Sequence, residues 1–185
     1  MVRPETVLIR FQKAIAKRDW ARALEAIDDL IEVQPGSSSL HYNRGLILKN
    51  LNRLSEALAA FDTTIRLDPS HVNACFERGS ALFNLGEFNR AVSAFQHYLE
   101  GSPDDADAAL NLGRALLRLG HANEARLALR TAHELAASTQ TTLALAAAER
   151  GCGDLDAMEA RLARLNRADP DIAAAVFKLR AGACL

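Results

Sequence analysis

His71 and Cys75 stand one helical turn apart, the spacing at which two side chains on one helix face can reach the same metal ion. No second His or Cys pair with matching spacing lies nearby, so the two form half a site. They read as structural, with Cys75 packed inside a hairpin and His71 capping a helix or facing water. Asp28 with Asp29, and Asp104 with Asp105, have the look of general acid–base pairs. Adjacent residues on a helix point apart, however, and acids at turns cap helices. The chain carries no glycine-rich phosphate loop, nucleophile elbow or zincin motif, so it reads as a non-enzyme with no cofactor and no metal. What remains is the chemistry of recognition. Carboxamides such as Asn43 and Asn111 can bond a backbone N–H and a C=O together, and rings such as Tyr42, Phe76 and Phe83 can receive apolar side chains.

The elements that would position these residues are helices. Of 185 residues 49% are hydrophobic, only 5% are aromatic and 10 are Gly, while Ala, Leu, Arg and Glu recur throughout. That is the composition of packed helices, and no sustained apolar–polar alternation bounded by Asn-Gly or Asp-Gly turns suggests a strand. With Lys+Arg 22 against Asp+Glu 23, the net charge of -1 gives no field to attract a polyanion, which argues against nucleic acid as partner. The N-terminus has no apolar run of signal-peptide length, and the other apolar stretches are broken by charges well short of a membrane span. A cytoplasmic protein that does not enter membranes is expected. Cys75, Cys152 and Cys184, odd in number and far apart, suit reduced thiols.

An internal ruler organises the chain. Pro35, Pro69 and Pro103 are 34 residues apart, as are Gly45, Gly79 and Gly113, and Ala23, Ala57, Ala91 and Ala125. Ile27, Phe61, Phe95 and Leu129 follow the repeated Ala by one helical turn, as stacking on a common face requires. Within each unit a small residue on the first helix and an Ala on the second let two backbones approach closely, Gly86 and Gly120 permit the left-handed residue that ends the first helix, and Pro stops the hairpin. Ser70, Asp104 and Asp171, just after their prolines, are expected caps.

This pattern of small, large apolar and Pro positions resembles the tetratricopeptide repeat (TPR). His41, Arg44, Gly45, Leu48, Ala57, Phe61 and Pro69 carry it in the second copy. Cys75, Arg78, Gly79, Leu82, Ala91, Phe95 and Pro103 carry it in the third. The fourth has Ala109, Leu112, Gly113, Leu116, Ala125 and Leu129, with Ala137 in place of Pro. In the first copy Phe11 replaces the small Gly; in the fifth Met158 replaces Ala, and Ala137 to Pro170 spans 33, implying a one-residue deletion near Ser138 to Thr142. The resemblance implies an all-α fold, a right-handed superhelical α-solenoid of about five hairpins in a single domain over 1–185. Its repeats fall at about 4–37, 38–71, 72–105, 106–138 and 139–170, followed by a C-terminal helix over 171–182.

The resemblance also implies a concave trough lined by the first helix of each pair, and helical angles place Tyr42, Asn43, Leu46 and Asn50 opposite the partner helix. Carried along the array, the lining reads Leu8 and Gln12; Tyr42, Asn43, Leu46, Lys49 and Asn50; Phe76, Glu77, Ser80, Phe83 and Asn84; then Leu110, Asn111, Arg114, Leu117 and Arg118. Asn43 and Asn111 resemble the asparagine ladder of glycosyltransferase-associated repeats, with Glu77 where a third Asn would stand and able to repel an acidic peptide. The carboxylate clamp of chaperone adaptors needs Lys and Asn in one first helix, Asn in the next and basic residues in a third; here Leu8 with Gln12, then Asn43, then Asn73 with Glu77 stand there, and other frames fare no better, which argues against it. The expected function is an adaptor or scaffold that binds a peptide segment of a partner protein. Its alternatives are a dedicated chaperone of the type III secretion kind and the targeting arm of a larger enzyme such as a glycosyltransferase. Ile172, Val176, Phe177 and Leu179 form an apolar stripe after the last repeat, read as a closing layer or as a homodimer contact.

Overall fold

The computed structural model describes residues 4–166 and 168–182, which leaves Cys184 outside the described residues. Eleven helices and no strand occur among them. The chain divides into two compact units, Met1–Glu87 and Phe88–Leu185. The first contains α1 (Pro4–Ala16), α2 (Trp20–Val33), α3 (Ser38–Asn50), α4 (Leu54–Leu67) and α5 (Val72–Asn84). The second contains α6 (Phe88–Gly101), α7 (Ala106–Arg118), α8 (Ala122–Leu135), α9 (Thr139–Gly151), α10 (Leu155–Leu162) and α11 (Pro170–Ala181). No helix of the described residues is long and apolar enough to cross a membrane.

The ruler works through close approach. A Cβ on Gly45 of α3 would collide with the Phe61 ring of α4, and one on Gly113 of α7 would collide with the Leu129 side chain of α8. Phe61 and Leu129 are fully buried, so the space a glycine leaves is filled by the large residue one turn after the repeated Ala. The hairpin turns obey the same interval. Arg18, Asn52, Gly86 and Gly120 all have positive φ at steps of 34, and Gly153 follows at 33. Arg18 and Asn52 hold at φ 54 and φ 58 a conformation that favours glycine.

His71 caps α5, one of the two roles expected of it, but Ser70, Asp104 and Asp171 are not the caps. His71 Nδ1 accepts from the Ala74 N–H at 3.2 Å and Asp105 Oδ1 from the Ala108 N–H at 2.9 Å, each one residue after the expected cap. Ser70 is taken up by Asp68, which accepts from its hydroxyl at 2.7 Å and so holds its own carboxyl below the usual range. Asp169, two residues before the expected Asp171, caps α11 and leaves Pro170 as the first helical residue. The one-residue deletion falls just before α9, where residues 136–138 connect helices that residues 34–37, 68–71 and 102–105 connect elsewhere. Ser138 and Thr141 close that shortened link with a reciprocal capping box.

In the second unit α10 stops at Leu162 and α11 returns over it. Val176 and Leu179 are buried with Ala146, Met158 and Leu162, and Ile172 packs against the same cluster. Val176 and Leu179 thus pack under the fifth hairpin, with Ile172 half-buried beside them. Phe177 alone stays on the surface, 73% exposed. Glu149 of α9 is buried and accepts from Arg161 of α10 at 2.6 Å and 2.9 Å, a two-pronged bridge between the helices of this pair.

Candidate peptide-binding face

Tyr42, the first expected trough residue on α3, turns toward α5. Its ring centroid lies 4.6 Å from the His71 imidazole and 6.0 Å from the Phe61 ring. Burial, and after it the Glu77 carboxylate, raise the phenol above its ordinary pKa. Seven residues on, Lys49 donates to Glu77 Oε2 of α5 at 2.6 Å. Leu110 and Leu117 hold the same two positions on α7. Leu110 is buried at 4% exposure with Leu145 of α9, and Leu117 packs against that cluster. On α3 and α7, then, these positions touch the next first helix, and Leu110, expected in the trough lining, is buried. Tyr42 and Leu117 are half-buried by the same contacts.

The remaining expected positions hold Asn43, Leu46 and Asn50 on α3, Glu77, Ser80 and Asn84 on α5, and Asn111, Arg114 and Arg118 on α7; Asn50, Asn84, Arg114 and Arg118 are exposed and the others half-buried. Asn50 donates to the Leu46 carbonyl of its own helix at 2.8 Å and is partly satisfied. Among the described residues the carboxamides of Asn43 and Asn111 have no hydrogen-bond partner, and both are half-buried. Glu77 does not stand as an open acid: its side chain is 15% exposed and neutralised by Lys49, so the repulsion expected from it is cancelled. Arg114 and Arg118 are exposed, and the Arg118 guanidinium carbon sits 5.7 Å from the Phe88 ring centroid. Phe76 and Phe83 are half-buried, and Leu8 and Gln12 of α1 are exposed.

One residue escaped the sequence reading. Ile9, 52% exposed, occupies on α1 the position that Asn43 holds on α3, 34 residues earlier, whereas Leu8 holds the position of Tyr42. The repeat interval was enough to find it once the packing position had been told apart from the open one. A second missed feature is a repeated ion pair: Arg44 bonds Asp28 at 2.7 Å and Arg78 bonds Asp62 at 2.6 Å, both members shifted by 34. The two pairs fix each first helix to the second helix before it, which sets how the open positions align within the first unit.

The residues first weighed for catalysis are committed elsewhere. His71 is a helix cap, and burial raises the Cys75 thiol above its ordinary pKa. Asp105 caps α7 and accepts the Tyr98 hydroxyl at 2.7 Å, while Asp28 and Asp29 pair with Arg44 and Arg10.

Two family models described as tetratricopeptide repeat match the chain, one over residues 11–74 and 57–111, the other over 106–139. No curated protein matches it. Among solved structures it is similar to MamA from Desulfovibrio magneticus RS-1, at 18% identity and a TM-score of 0.83 over 97% of this chain and 96% of that one. It is similar to a tetratricopeptide repeat protein from Parabacteroides merdae ATCC 43184, at 20% identity and TM-score 0.86, covering 95% of this chain and 72% of the other. It is also similar to YrrB, described as a TPR protein with an unusual peptide-binding site, at 17% identity and TM-score 0.80 over 92% and 88%. These likenesses show the fold, an α-solenoid of helical hairpins.

Proposed function

Because this chain belongs to the tetratricopeptide-repeat family, we propose that it is a protein-interaction scaffold that holds an extended peptide segment of a partner on the first helices of a unit. The observation that carries this reading is the state of Asn43 and Asn111. They occupy the same repeat position, are half-buried, and have no hydrogen-bond partner among the described residues. A carboxamide so placed offers one donor edge and one acceptor edge, which matches a peptide group of an extended chain. The peptide-binding site ascribed to the similarly folded YrrB supports the same reading.

The test uses a random-peptide display library selected on the full chain, followed by titration of the strongest synthetic peptide. Combined Asn43→Ala and Asn111→Ala substitution is expected to weaken that peptide about tenfold or more, the value of two lost hydrogen bonds, with helical circular dichroism unchanged. No enriched peptide, or equal affinity for the double variant, would contradict the reading.

A further inference from the structure

We propose that the exposed face of α1 docks the protein on an anionic lipid surface, its aliphatic side chains entering the headgroup layer and the cations at its C-terminal end meeting the lipid charges. The proposal stands apart from the peptide-binding reading and uses neither Asn43 nor Asn111. Its first support is apolar exposure. Leu8, Ile9 and Ile15 are 46%, 52% and 36% exposed, and among the described residues no other helix leaves more than two large apolar side chains so uncovered. Leu8 and Ile15 hold the positions of Tyr42 and Lys49, which on α3 reach His71 and Glu77, yet on α1 they stay open. Val7 and Ala14, seven residues apart on the other side, are buried and hold the helix in place, so α1 offers its exposed face without unfolding.

The second support is charge. The net charge of -1 hides a local excess: residues 4–22 carry five cations against Glu5 and Asp19, while residues 23–34 carry four acids and no cation. Arg10 is held by Asp29, and Arg22 by Asp19 at 3.4 Å. Lys13, Lys17 and Arg18 have no carboxylate partner among the described residues. Arg66 and Arg118 share that state, so it does not set the three apart; their place does. Lys13 and Lys17 continue the helical row of Ile9 at i+4 and i+8, with Leu8 and Ile15 beside it. On α8, where Leu127 and Leu135 are exposed, Arg126 and Arg130 both bond acids, at 3.7 and 3.9 Å. The helix dipole accounts for Lys13 in the last turn of α1, but neither for Lys17 and Arg18 beyond it nor for the uncovered aliphatics. Arg18 also keeps a cation at the hairpin tip with φ 54, where Gly86, Gly120 and Gly153 close other hairpins. An acidic peptide or a nucleic acid would engage the cations and leave the aliphatics in water. A lipid surface takes both, with the lysine stems lying along the apolar layer.

The test is sedimentation of the full chain with vesicles of phosphatidylcholine, with and without phosphatidylserine. Binding is expected only where phosphatidylserine is present and is expected to fall as salt is raised. Each of Lys13→Gln, Lys17→Gln and Arg18→Gln should weaken it about fivefold. Leu8→Gln combined with Ile9→Gln should weaken it about tenfold or more, with helical circular dichroism unchanged. No sedimentation with phosphatidylserine vesicles would overturn the proposal. So would full binding by the Leu8 and Ile9 double variant, which would reduce the contact to charge alone. Soluble polyglutamate or single-stranded RNA bound as tightly as the vesicles would overturn it in favour of an acidic protein or a nucleic acid. Where the double variant loses its helical signal, Ile9→Gln alone, at the most exposed of the three aliphatics, takes its place.

Discussion

Arg18 and Asn52 pay for the repeat at single residues. Each closes a hairpin with positive φ, where Gly86 and Gly120 do the same without a Cβ. The left-handed conformation costs an L-residue roughly 1–2 kcal/mol, less for Asn, and glycine gives back part of the gain as unfolded-state entropy. Arg18→Gly is therefore expected to stabilise the protein by up to about 1 kcal/mol, and Asn52→Gly by less, read as urea midpoints. A fall in midpoint for both would show that the turn geometry is not the strained one described. Residue types at the turns were thus only half legible: Gly86 and Gly120 announced the conformation, while Arg18 and Asn52 adopt it because the array imposes it. Neighbouring residues also divided where the sequence could not divide them. Angular reasoning put Tyr42 and Asn43 on one face, and only the contact of Tyr42 with His71 shows which of the two is packing.

At the scale of elements, the fifth hairpin departs most from the ruler. The interval gave the positions of α1 to α9 because Gly, Ala and the large apolar residues act at fixed helical spacing. It failed at α10, which ends at Leu162 instead of running the length of α8. Local side chains take over the backbone there: Asn166 accepts from the Ala168 N–H, and Asp169 from those of Asp171 and Ile172. The short helix is then held by Arg161 on buried Glu149. Arg161→Ala strands that carboxylate and is expected to cost about 3 kcal/mol or more. Arg126→Ala, which breaks an exposed pair with Asp154, should cost under about 1 kcal/mol. Equal losses in urea unfolding would contradict the structural weight given to Glu149.

Across the whole molecule, one solenoid chemistry serves two ends. Packing positions along the first helices build the array, and the adjacent open positions are left for a partner. α11 belongs to the first task, since Val176 and Leu179 are buried and Phe177 is not. Val176→Asp should therefore unfold the fifth hairpin, whereas Phe177→Asp should leave both the unfolding midpoint and the gel-filtration mass unchanged. A drop in mass for the second variant would mean that another copy covers Phe177. The central claim, that the open positions and not the packing ones meet the ligand, is tested most directly by nuclear magnetic resonance of the side-chain amide groups. Adding the selected peptide should shift the carboxamide signal of Asn43 or of Asn111, while the Leu110 methyl signals stay in place. Shifts confined to Leu110 and other packing residues, with the two carboxamides unmoved, would contradict it.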